Sequence, residues 1–236
     1  MQRRSLLAGL AALPLLTGKA WSMTGFTELV AASLPPGLAL PEAFVKTIDW
    51  LGANNFVREN SIAFVKPATA QLTSETGFKP VDPGHVEAWL RTDDKAYTER
   101  LAPIIPTGGE GSYAALWRRD DGGTSIVHMG SGSGSVLMAT LTDDPVDMLR
   151  LMAIGYGELC WPENFGLTPE EDNAMLVAAI GPGMVPPYSP PVEFRQFVSK
   201  TFGVTIPRTA SEIVGNLTEA KADDPFAIWL NTVPKN

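Results

Sequence analysis

The chain has 236 residues, of which 44% are hydrophobic and 19% are charged. These values are typical of a globular protein with one domain and additions, or at most two small domains, and they do not favour intrinsic disorder. The net charge of −8 argues against a protein that binds the phosphate backbone of nucleic acids, and it favours solubility or a basic partner. A single cysteine, Cys160, excludes an intrachain disulfide and a cysteine-based metal cluster, and its hydrophobic neighbours indicate a buried thiol.

Residues 1–22 have the pattern of a signal peptide. Arg3 and Arg4 precede an apolar run over 6–16, and Ala-Trp-Ser at 20–22 is a possible cleavage site. The arginine pair resembles a twin-arginine export signal, which predicts a periplasmic or exported protein. The alternative is an upstream extension with Met23 as the true start, which predicts a cytoplasmic protein. The apolar run is too short for a spanning helix, so no stable membrane insertion is expected after processing.

The first half of the chain is predicted to be mainly helical. An amphipathic helix is expected over 26–34, and a second one from Pro41, with apolar side chains at three- and four-residue spacing up to Leu51. Residues 56–70 alternate as in a strand. The segment from His85 to Ile104 then predicts one or two helices that Pro103 and Pro106 close.

The central segment predicts three strands followed by a helix. Residues 113–117 and 124–129 form the arms of a β-hairpin, whose turn is Asp-Asp-Gly-Gly at 120–123. A flexible loop over Gly130–Gly134 leads to a third strand over 135–141. Asp143 or Asp144 can then cap a helix that has Pro145 in its first turn and ends at Gly155 and Gly157.

The last part of the chain predicts helices and proline-rich connections. Thr168 and Glu171 form a capping-box pattern at the start of a helix that runs to Ile180. A proline-rich linker covers 181–191, and helices follow over 192–202, near 211–214 and near 224–230. We therefore divide the chain into the expected signal peptide or upstream extension (1–22), an α+β domain (23–161) and a helical, proline-rich C-terminal extension packed on it (162–236). Its expected contacts are Phe194, Phe197, Val198, Phe202, Phe226 and Trp229.

No motif in the sequence identifies a reaction. The Gly130–Gly134 loop lacks both the phosphate-loop ending and the G-x-G-x-x-G spacing, so we interpret it as a connecting loop. A hydrolase would need His128 as a base beside a serine and an acid such as Asp143, but no serine lies in a nucleophile elbow. His128 on a predicted strand is therefore expected to be structural. Metal-ligand patterns are lacking as well, and the paired aspartates suit turns and helix caps. The sequence thus assigns no catalytic, cofactor-binding or metal-binding residues.

Four segments give the chain a resemblance to the SUKH superfamily, which includes the Smi/Knr cell-wall-assembly-regulator-like proteins. They lie between about residues 35 and 161, and they are 40–44 (LPEAF), 113–117 (YAALW), 126–131 (IVHMGS) and 144–156 (DPVDMLRLMAIGY). The resemblance implies an α+β fold with an antiparallel-rich mixed sheet and flanking helices, here followed by the C-terminal helical extension. It also implies a bacterial protein that acts without catalysis and without a cofactor.

What the resemblance implies about function is protein binding. Bacterial members often neutralise polymorphic toxins, and an acidic immunity protein suits a basic toxin domain electrostatically. We expect Asp120, Asp121 and Glu110 to contact such a partner. Two alternatives remain open, namely a periplasmic envelope-associated binding protein and a hydrolase that uses His128.

Overall fold

A computed structural model describes residues 24–59, 61–70 and 74–234. The expected signal peptide and the alternative start at Met23 lie outside these residues. Within them, the helices are α1 (Thr24–Ala32), α2 (Glu42–Ala53), α3 (Pro83–Leu90), α4 (Lys95–Thr98), α5 (Pro145–Ile154), α6 (Pro169–Ile180), α7 (Val192–Phe202), α8 (Ser211–Val214) and α9 (Pro225–Leu230), with a 3₁₀ turn at Pro162–Asn164. The strands are β1 (Val57–Arg58), β2 (Ile62–Phe64), β3 (Gly77–Phe78), β4 (Leu101–Pro106), β5 (Tyr113–Arg118), β6 (Thr124–Met129) and β7 (Met138–Thr142).

The strands form two antiparallel sheets, so the predicted α+β class is confirmed. The smaller sheet has the order β1-β2-β3, and the larger one has the order β4-β5-β6-β7. Each strand of the larger sheet pairs with the next one along the chain, and the β5–β6 hairpin turns at the predicted Asp-Asp-Gly-Gly segment. Among the described helices, none is long and apolar enough to cross a membrane.

Both faces of the larger sheet are covered. Because side chains alternate along a strand, Ala114 and Leu116 of β5 face one hydrophobic core, while Ala115 and Trp117 face another. Helices α1, α2, α5 and α7 contribute to the first core. The second core is smaller, and α3 and α9 supply its helical side chains. The C-terminal segment thus contributes to both cores, through Phe194 and Val198 of α7 and through Phe226 and Trp229 of α9.

Strand β4 corrects one sequence-based expectation, since Leu101–Pro106 was predicted to end a helix. Prolines are tolerated in a strand that lies at the edge of its sheet, where a missing N–H group leaves no neighbouring strand unpaired. β4 is such an edge strand, and its pairing with β5 is irregular between Pro103 and Ile105. The outward carbonyl of Ile104 accepts a hydrogen bond from the Lys79 amide at 2.8 Å. Tertiary pairing therefore places the two prolines in a strand.

The helix ends follow the predicted caps. Asp144 accepts a hydrogen bond from the Val146 amide at the start of α5, and Thr168 and Glu171 form the complete capping box of α6. Gly155 ends α5 with a φ of 88°, a conformation that favours glycine. A β-carbon there would also meet the Pro191 ring at 2.4 Å. Local sequence signals therefore fix where these helices begin and end.

Candidate functional site

His128 is a core residue with both ring nitrogens engaged inside the chain. The carbonyl oxygen of Leu137 lies 3.0 Å from Nδ1, and the Thr107 hydroxyl lies 3.2 Å from Nε2. Because a carbonyl can only accept, Nδ1 donates and Nε2 accepts from Thr107. The side chain is fully buried, and burial lowers its pKa, so the ring is neutral at neutral pH. Asp143 contacts Ser125 and Arg119 instead, so His128 and Asp143 are not brought together.

The hairpin tip carries Asp120 and Asp121, and both are already paired. Asp120 forms a salt bridge of 2.8 Å with Arg100, and Asp121 forms one of 3.1 Å with Arg119. Asp121 also accepts a hydrogen bond from the Gly123 amide. The Arg119 contact and this amide hydrogen bond lower the pKa of Asp121. The tip is therefore exposed, but Arg100 and Arg119 largely neutralise its negative charge.

Glu110 lies at the other end of β5 from the hairpin tip, so roughly 17 Å of strand separates the two. Both of its carboxylate oxygens are buried and lack a well-formed hydrogen bond. Burial raises the pKa of the Glu110 carboxyl. The polar groups of Ser112, Ser131 and Cys160 lie beside it and stabilise its charged form more strongly, so the pKa is lowered overall. Cys160 is itself buried, and burial raises the pKa of its thiol. A partner could reach this carboxylate only after a rearrangement.

Helix α6 has an exposed apolar half. Its first turn is acidic and Pro169 is buried, but the large side chains of its second half are about half exposed, at 56% for Met175, 49% for Leu176 and 52% for Ile180. Met184, just beyond the helix, is 73% exposed. Exposed apolar patches on protein surfaces are often interaction sites. We call the surface formed by Ala174–Ile180 and Met184 the α6 surface.

A cleft of about 560 Å³ lies beside the α6 surface. It is lined by α6, by residues 185–188, and by loop residues around 74–75 and 157–161. Asn164 donates a hydrogen bond to Asp172 at 2.7 Å, and Asn173 donates one to the Pro186 carbonyl at 3.3 Å. These contacts hold the first half of α6 beside the loops and leave its second half exposed.

The cleft has an acidic part and an apolar part. Burial raises the pKa of Glu75 and of Asp172, and repulsion by Glu158 raises the pKa of both further. Met175, Leu176 and Ala179 follow Asp172 along α6, so the apolar lining extends about 10 Å from the carboxylates, at 1.5 Å per residue. Val185, Pro186 and Pro187 add to this apolar lining.

The carboxylates of the cleft have no basic neighbour among the residues that line it. Glu158 accepts hydrogen bonds from the Gly109 amide at 2.7 Å and from the Trp161 indole at 2.6 Å, and both donors are neutral. Within the described ranges, neither Glu75, Glu158 nor Asp172 forms a salt bridge. The three carboxylates therefore carry negative charge without a salt-bridge partner, and a positive group could offset this charge.

Replacing Glu75 with glutamine is expected to raise the melting temperature at pH 7. Burial first, and then Glu158, raise the pKa of Glu75 above its ordinary value of 4.5. A carboxyl whose pKa is higher in the folded state favours folding only in its protonated form, so its charged form is destabilising at neutral pH. The gain in melting temperature should shrink as the pH falls through the raised pKa of Glu75, and it should vanish below the ordinary pKa of 4.5. Thermal melts at pH 7 and pH 4 would measure it.

The matched control for this prediction is Glu219→Gln, which removes a carboxylate from an exposed position. It is expected to leave the melting temperature close to that of the wild type at both pH values. A lower melting temperature for Glu75→Gln at pH 7 would contradict the electrostatic description of the cleft.

The sequence predicts α6 itself but does not reveal its exposed half. The segment Ala174–Ile180 is apolar on all sides, and a helix of this kind is usually buried. Only the structure separates burial from exposure here. The acidic first turn and the following run of seven apolar residues were the available signal.

Comparison of the chain with family models, with curated proteins and with solved structures found no match. The chemistry of the α6 surface and its cleft is therefore the basis on which a function can be inferred.

Proposed function

We propose that the protein is a non-enzymatic interaction module that docks a basic protein partner on the α6 surface and its cleft. The observation that carries the proposal is the half-exposed apolar side chains of Met175, Leu176 and Ile180 on one short helix. Their exposure to water is unfavourable by about 25 cal/mol per Å² of apolar area, and a partner that covers them removes this cost. Large exposed hydrophobic residues of this kind typically form the centre of an interface.

The charge of the protein supports a basic partner. The net charge is −8, and the lining of the cleft carries carboxylates without lysine or arginine. Complementary charge raises the rate of association and fixes the orientation of the partner. The resemblance to the SUKH superfamily suggests a specific form of this proposal, in which the partner is a basic toxin domain and the protein confers immunity to it.

The hairpin tip is a weaker docking surface than α6 in this proposal. Asp120 and Asp121 would have to exchange their contacts with Arg100 and Arg119 for contacts with the partner. Exposed ion pairs contribute little free energy in either state, so this exchange offers little net gain. We therefore place the main contact at α6.

The test is the substitution Ile180→Glu, compared with Ile228→Glu as the matched control. Both isoleucines lie on helices and are 52% exposed, but Ile228 is on α9, away from the cleft. A carboxylate buried against apolar side chains of the partner is expected to weaken binding at least tenfold, or about 1.4 kcal/mol, because its desolvation outweighs its attraction to basic groups of the partner. The partner would first be captured from native cells with the wild-type protein and identified. Its dissociation constant would then be measured by calorimetry for the three purified proteins.

A basic partner that loses affinity for Ile180→Glu, but not for Ile228→Glu, would support the proposal. Equal affinities of the two variants would place the interface elsewhere and contradict it. Recovery of no specific protein partner would also contradict it, because an interaction module must have one.

A further inference from the structure

The cleft beside α6 suggests which chemical group of the partner it receives. We infer that the acidic part of the cleft binds a cationic side chain of the partner, while apolar side chains next to that cation pack on the α6 surface. This inference depends on the docking function proposed above and adds the chemistry of the docked segment. The expected ligand is therefore a segment with one arginine or lysine flanked by aliphatic residues.

The arrangement of the carboxylates supports a cation. Glu75, Glu158 and Asp172 come from three different parts of the chain and converge on one cleft. None of them forms a salt bridge among the described residues, so the repulsion that Glu158 exerts on the other two is not offset there by an ion pair. A guanidinium or ammonium group would offset it and form charge-assisted hydrogen bonds.

The position of Glu158 is set independently of any ligand. One of its oxygens holds the Gly109 amide and the other holds the Trp161 indole. Residues 157 and 159 are also tied down, because the Glu75 amide donates to the Gly157 carbonyl and the Leu159 amide donates to the Thr107 carbonyl. The central carboxylate is thus preorganised, which reduces the entropy that binding must overcome.

The apolar part of the cleft sets the neighbours of the cation. Met175, Leu176 and Ala179 lie one to two helical turns beyond Asp172, on the exposed half of α6. Val185 and Pro186 line the same cleft. Aliphatic side chains beside the cation would cover these residues, and methionine adapts to varied apolar shapes. A purely cationic ligand would leave this surface exposed to water.

Two synthetic peptides test the inference. The first is acetyl-Ala-Leu-Arg-Leu-Ala-amide, and the second has glutamine in place of arginine. Each would be titrated into the full chain, labelled with nitrogen-15, and followed by two-dimensional NMR. The Trp161 indole N–H, which lies in the cleft lining, is the main reporter. We expect the arginine peptide to shift this signal and to bind about tenfold more tightly than the glutamine peptide.

Variants of the cleft test whether the carboxylates cause the difference. Glu75→Gln and Asp172→Asn each remove a charge and leave the size of the side chain nearly unchanged. Each is expected to lower the affinity for the arginine peptide several-fold and to leave the affinity for the glutamine peptide unchanged. Two variants keep the test valid if one of them fails to fold. Glu158 is left unchanged because its oxygens hold the cleft together. Added salt should also lower the affinity for the arginine peptide and leave the affinity for the glutamine peptide unchanged.

The outcomes separate this inference from the proposed function. If both peptides bind the cleft equally, or if the charge variants have no effect, the cationic inference is wrong, while loss of the protein partner in Ile180→Glu would still support docking. If neither peptide shifts the Trp161 signal, the cationic inference is overturned as well. The docking function itself fails when Ile180→Glu leaves the affinity for the protein partner unchanged, or when no specific protein partner is recovered.

Discussion

Replacing Phe226 with alanine is expected to lower the free energy of unfolding by about 3–5 kcal/mol. The Phe226 side chain is fully buried on α9, with its ring centroid 5.4 Å from that of Trp117 and 5.7 Å from that of Trp229. Truncation would remove this aromatic packing and leave a cavity between α9 and the larger sheet. Urea denaturation followed by tryptophan fluorescence would measure the effect, since Trp89, Trp117 and Trp229 border the site.

The control on the same helix is Ile228→Ala. This side chain is 52% exposed, so its truncation should cost less than about 1 kcal/mol. A large loss for Phe226→Ala and a small one for Ile228→Ala would mean that α9 unfolds together with the sheet. If both variants kept the stability of the wild type, α9 would be an appendage that unfolds separately.

Replacing Asp224 with alanine is expected to lower the free energy of unfolding by about 2–4 kcal/mol. Asp224 caps α9 by accepting a hydrogen bond from the Ala227 amide at 2.9 Å. Its other oxygen accepts a hydrogen bond from the Thr140 amide of the edge strand β7, also at 2.9 Å. The residue is only 8% exposed, so its loss would leave two amides without an acceptor in a part-buried place. Thermal and urea unfolding would measure the effect.

Asp144→Ala is the matched control for this second prediction. Asp144 also caps a helix, by accepting from the Val146 amide at 2.8 Å, but it is exposed and makes no comparable contact with a strand. Its loss should cost about 1 kcal/mol, the usual contribution of a helix cap. The difference between the two variants would isolate the contribution of the Asp224–Thr140 contact. Equal losses would mean that this contact adds nothing to the cap.

Local signals in the sequence predicted several elements well, since caps and turns depend on residues close together in the chain. The hairpin turn at Asp120–Gly123, the Pro145 helix start and the Thr168 capping box all lie within a few residues of the backbone groups that they satisfy. The interpretation of paired aspartates as caps and turns is confirmed at Asp94 and Asp224, whose side chains accept from helix amides. Short-range hydrogen bonds leave short-range patterns.

Long-range pairing left no such pattern. The segment Leu101–Pro106 has two prolines, which act against both a helix and a central strand, and only its place at a sheet edge makes it a strand. The two-residue strand Gly77–Phe78 was likewise not predicted, because pairing with β2 defines it and its own composition does not. These elements depend on partners distant in the chain.

The candidate site shows the same division. Sequence alone determined that the protein is acidic, that α6 starts at a capping box with an acidic first turn, and that an apolar run follows. Only the tertiary structure decided that this run stays exposed and that Glu75 and Glu158 meet Asp172 at the cleft. The physical reason is that composition and local hydrogen bonding are properties of a segment, whereas exposure and charge clustering depend on which distant segments pack beside it.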